Sequence, residues 1–386
     1  METLVRKSVQ IASPALQRKA EELLAPAGIA LNGNHPWDVH IHHPRTYNRV
    51  FAQASLGLGE SYMDGWWDCD QLGEFFRRLF VSRIDERVSI KDIRLLAHMA
   101  GAQLWNLQRK ARAYQVGEQH YDLGNDLYAA MLDPGLNYSC AYWEHADNLD
   151  AAQEAKLDLV CRKLCLEPGM HVLDIGCGWG SFAKYAAERY GVRVTGATVS
   201  RQQADYATQW CRGLPIEIQL ADYRDLDDRF DRVLSIGMFE HVGHKNYSTY
   251  FATTRRLLKE DGLAFVHTIG RNTTLRYAGT DPWITKYIFR NGELPSMAQI
   301  TKHSEKYFVM EDWHNIGPNY APTLMAWQRN FHAAWPRLKE KYGERFRRMW
   351  DYYLLMCAAL FRTRKMQVWQ IVFSPAGLHG GYTPVR

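Results

Sequence analysis

No run in this 386-residue sequence approaches the ~20 apolar residues that a membrane-spanning helix needs. The opening METLVRKSVQ has no apolar core of a secretory signal. The chain is therefore read as cytoplasmic, with any membrane contact peripheral, at the inner face. Cysteine is sparse: seven residues, Cys69, Cys140, Cys161, Cys165, Cys177, Cys211 and Cys357, odd in number and scattered. That excludes a disulfide scaffold and suggests reduced thiols. Cys161 and Cys165 sit four apart on an expected helix, but no further ligands accompany them, so core packing outweighs a metal pair. His40 and His42 alternate along the strand-like WDVHIHHP, and a solvated strand face explains them better than a metal. His241 and His244 lack a placed third ligand, so no metal is expected. Charge of one sign is also scarce. A net +5 is too small to choose between nucleic acid and phospholipid. Repeats and low-complexity segments are absent.

Aromatics, by contrast, are plentiful at 13% of residues, with 13 Trp and 21 Tyr. Such rings build a large core, a lipid-facing groove or a cation-stabilising pocket. Residues 1–90 read as a smaller mixed α/β unit. Helix-like SPALQRKAEELLAPAGI precedes WDVHIHHP, and SLGLGESYMDGWWDCD (55–70) brings closely spaced glycines. Residues 91–115 carry a helical pattern with a basic end, read as a linker helix in preference to a membrane-surface helix. Residues 116–386 form the larger domain. From residue 170 strands and helices alternate: MHVLDIG, VRVTGATV, IEIQLA, FDRVLSIG and LAFVHTIG, then YFVMEDWHN and VWQIVFS after longer insertions. The pattern predicts an α/β fold, with a parallel doubly wound sheet of seven strands in all.

The first of these strands ends in VLDIGCGWG (172–180). Asp174, Gly176, Gly178 and Gly180 form D-x-G-x-G-x-G directly before a helix. The glycines permit a tight turn and close approach of a ligand to the backbone. The spacing differs from the dinucleotide G-x-G-x-x-G, and no acid ends the next strand, so nicotinamide binding is disfavoured. The run resembles motif I of the Rossmann-like methyltransferases. There the turn holds the methionine part of S-adenosylmethionine and the acid orders its amino group. Ser200 and Gln203 read as a capping box. In the resembling enzymes the same segment, from Thr198 to Gln203, contacts the cofactor. Asp222 and Tyr223 follow the third strand, where an Asp can accept from the adenine amino group and a Tyr can stack on the ring. A turn-capping Asp is the bland alternative.

Ligands of such sheets sit at the carboxyl ends of the strands. Glu240 follows the fourth strand in IGMFEHVG. His267 lies in the fifth. A carboxylate and an imidazole on neighbouring strands can orient each other.

Beyond the turn, VGEQHYDLGNDLYAAMLDP (116–134), YSCAYW (138–143), DYRDL, GMFEHVG, HTIG and EDWHNIGPNY (311–320) together resemble the cyclopropane-fatty-acyl-phospholipid synthases. SLGLGESYMDGWW resembles that family's N-terminal, lipid-associated domain, so the likeness spans essentially the full length. It implies a ring-forming transfer from S-adenosylmethionine to the double bond of an unsaturated phospholipid at the membrane surface, by a chain that can be a homodimer. It also implies a bicarbonate ion held by Cys140, Glu240, His267, the backbone at Ile269, and Tyr320. Tyr138 and Ser139 would touch the cofactor. Cys357 matches a cysteine assigned a catalytic part in the family, although its apolar helical setting offers nothing to make a thiolate. An anion beside Glu240 meets like-charge repulsion unless one partner is protonated or Glu240 acts through His267. YSCAYW and DPWITKYIF (281–289) are the candidate aromatic loops for a carbocation. The insertion at 271–307 is a candidate acyl channel. The basic runs RFRR (345–348) and RTRK (362–365) are candidate headgroup contacts or solvated faces.

Two other classes remain open. One is a methyltransferase that leaves a methyl or methylene branch without closing a ring. The other is a non-enzymatic, cofactor-sensing lipid binder, which would need no base. Nucleic-acid modification is disfavoured by the modest charge and by the lack of a base-flipping motif.

Overall fold

The computed structural model describes residues 14–87, 124–275, 281–290 and 292–386. The expected linker helix, 91–115, and the start of the 116–134 motif lie outside them. The N-terminal part consists of helices α1 (Pro14–Leu24), α2 (Thr46–Met63), α3 (Leu72–Val81) and α4 (Ile84–Arg87). One antiparallel ribbon joins them, β1 (His40–Ile41) on β2 (Trp67–Asp68). WDVHIHHP thus supplies two residues to this ribbon, and its Val39 bridges Leu31 in parallel. On the surface, His42 Nε2 lies 2.8 Å from Asp68 Oδ2.

Of the spaced glycines, Gly57 and Gly59 are helical and allow close packing, while Gly65 (φ 70°) turns the chain after α2. α2 breaks at Ala54 (φ 49°, ψ −126°). Across the break, a Cβ on Gly57 would sit 2.2 Å from the Arg49 carbonyl oxygen. A Cβ on Gly59 would sit 2.3 Å from Cδ1 of Trp283, in α10 (Pro282–Tyr287). The α2–α10 contact is completed by Glu60, which accepts from Lys286 Nζ (2.5 Å), from the Tyr287 hydroxyl (2.8 Å) and from Arg49. Burial pushes the Glu60 carboxyl up, but the three donors outweigh it and bring it from 4.5 down to about 2. A depressed acid contributes stability above its unfolded pKa and loses it as pH falls through the folded one. Glu60→Gln is expected to cost about 1–2 kcal/mol at pH 7, because the half-exposed Lys286 lets water screen the pair. The deficit should close as pH falls from 4.5 towards 2, as read by urea titration.

The rest of the chain comprises α5 (Asn125–Met131), α6 (Leu149–Lys163), β3 (His171–Ile175), α7 (Ser181–Tyr190), β4 (Arg193–Thr198), α8 (Arg201–Trp210), β5 (Ile216–Leu220) and β6 (Phe230–Ile236). There follow α9 (Tyr247–Leu257), β7 (Leu258–Arg271), α10, α11 (Met297–Ser304), β8 (Val309–Asn315), the long helical run α12 (Tyr320–Arg362) and β9 (Met366–Ser374). All seven expected strands form one sheet, in the order β5-β4-β3-β6-β7-β9-β8. The first five are parallel, as expected. β9 is not: it enters antiparallel between β7 and β8. The cause lies in α12, which breaks at Gly343 (φ 75°, ψ 164°). Its two arms fold against each other, with His332 Nε2 2.5 Å from Asp351 Oδ1, so the chain returns to the sheet reversed.

The second arm also corrects the reading of RFRR. Arg345 pairs with Asp64 (2.9 Å), and Arg348 pairs with Asp68 (2.7 Å) and donates to the Trp67 carbonyl (2.8 Å). These cations hold the N-terminal part and are not spare for headgroups. Of RTRK, Lys365 pairs with Asp85 (2.6 Å). One apolar cluster runs from Trp67, Phe75 and Phe76 through Trp350 and Tyr352 to Cys140 and Tyr320.

Candidate active site

β3 lies at the switch point, with β4 and then β5 on one side and β6 on the other. Its carboxyl end opens into a cavity of about 950 Å³. The turn that follows is pinned by Gly176 N–H and Cys177 N–H, both donating to the Ala197 carbonyl at the end of β4 (2.8 and 3.1 Å). The three glycines do different things. At Gly176 (φ 79°) a Cβ would meet Met238 at 2.7 Å, whereas at Gly178 (φ 56°) it would meet nothing within 4 Å, which leaves open space for a ligand. Gly180 does not line the cavity; a Cβ there would meet Cys211 Sγ at 3.0 Å, so it serves the packing of the turn on α8.

The other expected cofactor residues, Tyr138, Ser139, Asp174, Thr198, Gln203, Asp222 and Tyr223, all line the cavity. Burial pushes the Asp174 carboxyl up to about 7, against the pull of Lys156. Only half of the expected capping box forms. Ser200 Oγ accepts from Gln203 N–H, but Gln203 Oε1 accepts from the Thr198 hydroxyl (3.0 Å) and does not return to the Ser200 backbone. Gln203 is thereby turned towards the cavity wall. Asp222 does cap its turn, and the Arg224 guanidinium grips both its oxygens (2.8 and 2.5 Å).

All six expected reaction residues, Cys140, Glu240, His267, Ile269, Tyr320 and Cys357, also line this one cavity. Their pairing differs from expectation. Glu240 and His267 do not orient each other. Glu240 sits in a 3-10 turn beyond β6, and its Oε1 accepts from Ile269 N–H at 2.6 Å. The β6–β7 register sets Ile236 opposite His267, so a side chain four residues further on reaches past the imidazole. The Ile269 N–H is thus committed to Glu240. His267 instead meets Gln370 of β9, with Nδ1 3.5 Å from Nε2.

Burial sets the protonation states. It pushes the Glu240 carboxyl up to about 7, against the Ile269 hydrogen bond. It pushes His267 down to about 3, helped by Lys156 and Lys163. It raises the Cys140 thiol and the Tyr320 phenol well above their ordinary ranges. Cys357 is pushed up to about 12, so it keeps its proton and is no thiolate nucleophile. Burial thus favours the neutral form of each side chain in the cluster, the imidazole of His267 by losing its proton and the carboxyl of Glu240 by keeping one. Glu240 Oε2 and Gln370 Oε1 are buried with no hydrogen-bond partner among the described residues. Buried polar atoms of this kind call for a ligand.

An aromatic wall flanks the cluster. Tyr138 and Phe289 come from the two expected loops, but Tyr142, Trp143, Trp283 and Tyr287 do not line the cavity. Tyr353 and Phe361 of α12 take their place, with the Tyr138 hydroxyl 2.9 Å from that of Tyr353. Sequence reasoning missed these rings, and also Gln370 and Lys156. Lys156 had a signal: it shares the buried face of α6 with Ala152 and Val160, four residues away on each side.

The family model described as mycolic acid cyclopropane synthetase matches residues 108–371. Over 371 residues the chain is 54% identical to the cyclopropane-fatty-acyl-phospholipid synthase of Escherichia coli (strain K12), covering 96% of each chain. The cyclopropane synthase MmaA2 from Mycobacterium tuberculosis superposes with a TM-score of 0.64 at 32% identity, over 67% of this chain and 97% of that one. The mycolic acid cyclopropane synthase CmaA1 complexed with SAH and CTAB gives 0.62 at 34% identity, over the same shares. With its glycine turn, seven-stranded sheet and buried polar cluster, this chain belongs to the mycolic acid cyclopropane synthetase family.

Proposed function

We propose that the chain transfers a methylene group from S-adenosylmethionine to the cis double bond of an unsaturated acyl chain in a membrane phospholipid, closing a cyclopropane ring. The observation that carries this reading is the continuity of the cavity. It runs from the glycine turn, past Glu240 and His267, into an apolar chamber beneath α1, α2 and α3, where Leu24, Ile41, Phe51 and Phe76 line it. A donor site, a reaction centre and a slot for a hydrocarbon chain thus share one space. The relative with 54% identity is named for fatty-acyl phospholipids. The SAH in the CmaA1 complex supports the same cofactor here.

S-adenosylmethionine held by the turn would supply an electrophilic sulfonium methyl to the alkene and leave as S-adenosylhomocysteine, so that the acyl chain would carry a carbocation. A proton is then lost from the new methyl carbon as the ring closes. An alkene is a weak nucleophile, so much of the rate must come from in-line positioning by the turn and the chamber. The faces of Tyr138, Phe289 and Tyr353 stabilise the cation without trapping it. The apolar walls keep out water, which would quench it.

The polar cluster suits a small anion. Cys140, Tyr320, neutral His267 and protonated Glu240 all have hydrogens to donate, and the free Glu240 oxygen marks the place. Protonation of Glu240 removes the like-charge repulsion that the sequence raised. The Ile269 amide would join only if Glu240 released it. Bicarbonate held there would supply the base for the methyl proton.

We assign residues 1–90 as the lipid-associated roof, 91–115 as the linker and 116–386 as the catalytic part, working at a phospholipid surface. No described helix is long and apolar enough to cross a membrane.

The test is incubation with S-adenosylmethionine and vesicles of unsaturated phospholipid, followed by lipid mass spectrometry and proton NMR. A gain of one CH2 with loss of olefinic protons and a new cyclopropane resonance is expected. Retained olefinic protons would indicate branch formation. No product from folded, cofactor-binding protein would overturn the assignment.

A further inference from the structure

We infer that Lys156 is the counter-charge for the carboxylate of the cofactor's amino-acid end, across from the amine that the family resemblance gives to Asp174. The inference rests on S-adenosylmethionine being the cofactor.

Lys156 is 1% exposed, on the inner face of α6. Its Nζ donates to Asn137 Oδ1 (2.8 Å) and Ser139 Oγ (3.3 Å), both neutral. No carboxylate of the described residues lies within ion-pair distance of it; the opposite charge that acts on it most, Asp133, stands one hydrogen bond further off, accepting from Asn137 Nδ2 (2.7 Å). That is an unusual state for an ammonium, since a buried charge ordinarily has an opposite charge beside it. The other buried lysine of the same helix, Lys163, follows the rule, with Asp312 Oδ2 at 3.1 Å. Bracing Asn137 and Ser139 does not require a charge either. Gln153, one turn away, already ties that loop by donating to the carbonyls of Asn137 and Ser139 (3.3 and 3.0 Å).

Asp174 mirrors this. It is 2% exposed, carries no ion pair among the described residues, and lines the same cavity as Lys156. Two opposite buried charges therefore face one space without meeting. Burial pushes both towards neutrality, the acid up to about 7 and the lysine down to about 8. The ligand that completes both is a group with an ammonium and a carboxylate on adjacent atoms. The anionic half is favoured further at this end of the cavity. Ser181, the first residue of α7, donates to the same Asn137 Oδ1 as Lys156, which places the lysine by the positive end of that helix.

The test is isothermal titration calorimetry with S-adenosylhomocysteine and with its decarboxylated analogue, which keeps the amine. Wild-type protein should bind the intact ligand at least ~10-fold more tightly. Lys156→Met should cost the intact ligand a similar factor and leave the analogue within ~3-fold. Equal losses for both ligands would make Lys156 a structural brace and overturn the inference, as would no loss for either. Lys156→Gln, which can still donate to Asn137 and Ser139, serves the same comparison if the methionine variant does not fold. Wild-type protein alone also decides: equal affinity for the two ligands would refute the carboxylate contact. Failure of the wild type to bind either ligand would instead sink the cofactor reading on which the inference stands.

Discussion

Glu240→Gln should abolish turnover, make the protein more stable, and leave cofactor binding intact. The amide keeps the shape and can still accept from the Ile269 N–H. What it loses is the carboxyl's exchangeable proton, at the one buried oxygen of Glu240 that has no partner. An amide can still donate to the bound anion but cannot relay onward the proton which that anion takes up, and losing such a relay costs about 10²–10⁴ in rate. S-adenosylhomocysteine affinity should hold within ~3-fold, because the cofactor turn belongs to β3 while Glu240 follows β6. The stability gain has a pH signature. The folded state raises this carboxyl from 4.5 to about 7, so it favours the protonated form. Its contribution is fully present below 4.5 and is lost as pH rises through about 7. Glutamine suffers no such loss. The variant's advantage should therefore grow between pH 5 and pH 8, reaching a few kcal/mol, read from melting temperatures at the two values. Wild-type-like turnover would sink the role, and a variant less stable than wild type at pH 8 would sink the electrostatic account.

Gly59→Leu is the other large effect. A Cβ already overlaps the Trp283 ring, which is fully buried and packs 4.5 Å from Tyr352. The ring cannot move without disturbing the joint between α2, α10 and α12. Overpacking of this severity costs about 3 kcal/mol. The functional consequence should be selective. α10 and the residues after it place Ile284, Ile288 and Phe289 on the cavity wall, so turnover on phospholipid should fall further than affinity for S-adenosylhomocysteine. A variant with unchanged melting temperature would refute the packing argument.

The local features of the site were legible because they are local. Asp174 at the end of β3 and Gly176 and Gly178 in the turn after it lie within five residues of one another, and every expected strand was marked by its own apolar pattern. Pairing was harder to read. β7 and β9 are apolar on both faces, and such strands read alike whether their neighbours run parallel or antiparallel. The meeting of His267 with Gln370 follows from the β7–β9 register and cannot be had from either strand alone. The Glu240–Ile269 bond is likewise a matter of how far a turn projects. It uses a backbone N–H, which no residue pattern reports. Gly180 shows a second use of glycine in the same motif. A glycine needed for helix packing and one needed for a ligand look the same until the neighbouring helix is in place.

The position of β9 bears on how the chain comes to be folded. It follows the six other strands of the sheet in the chain, yet it lies inside the sheet between β7 and β8. Until it emerges, both of those strands offer unpaired edges, and edges of that kind invite association with other chains. Gln370, the partner of His267, arrives on the same strand. The growing protein therefore cannot assemble its reaction centre piecemeal, and the sheet closes only when β9 has been made. Sequence-distant closure of this type is slow, which makes the newborn chain most vulnerable to aggregation just before it becomes an enzyme.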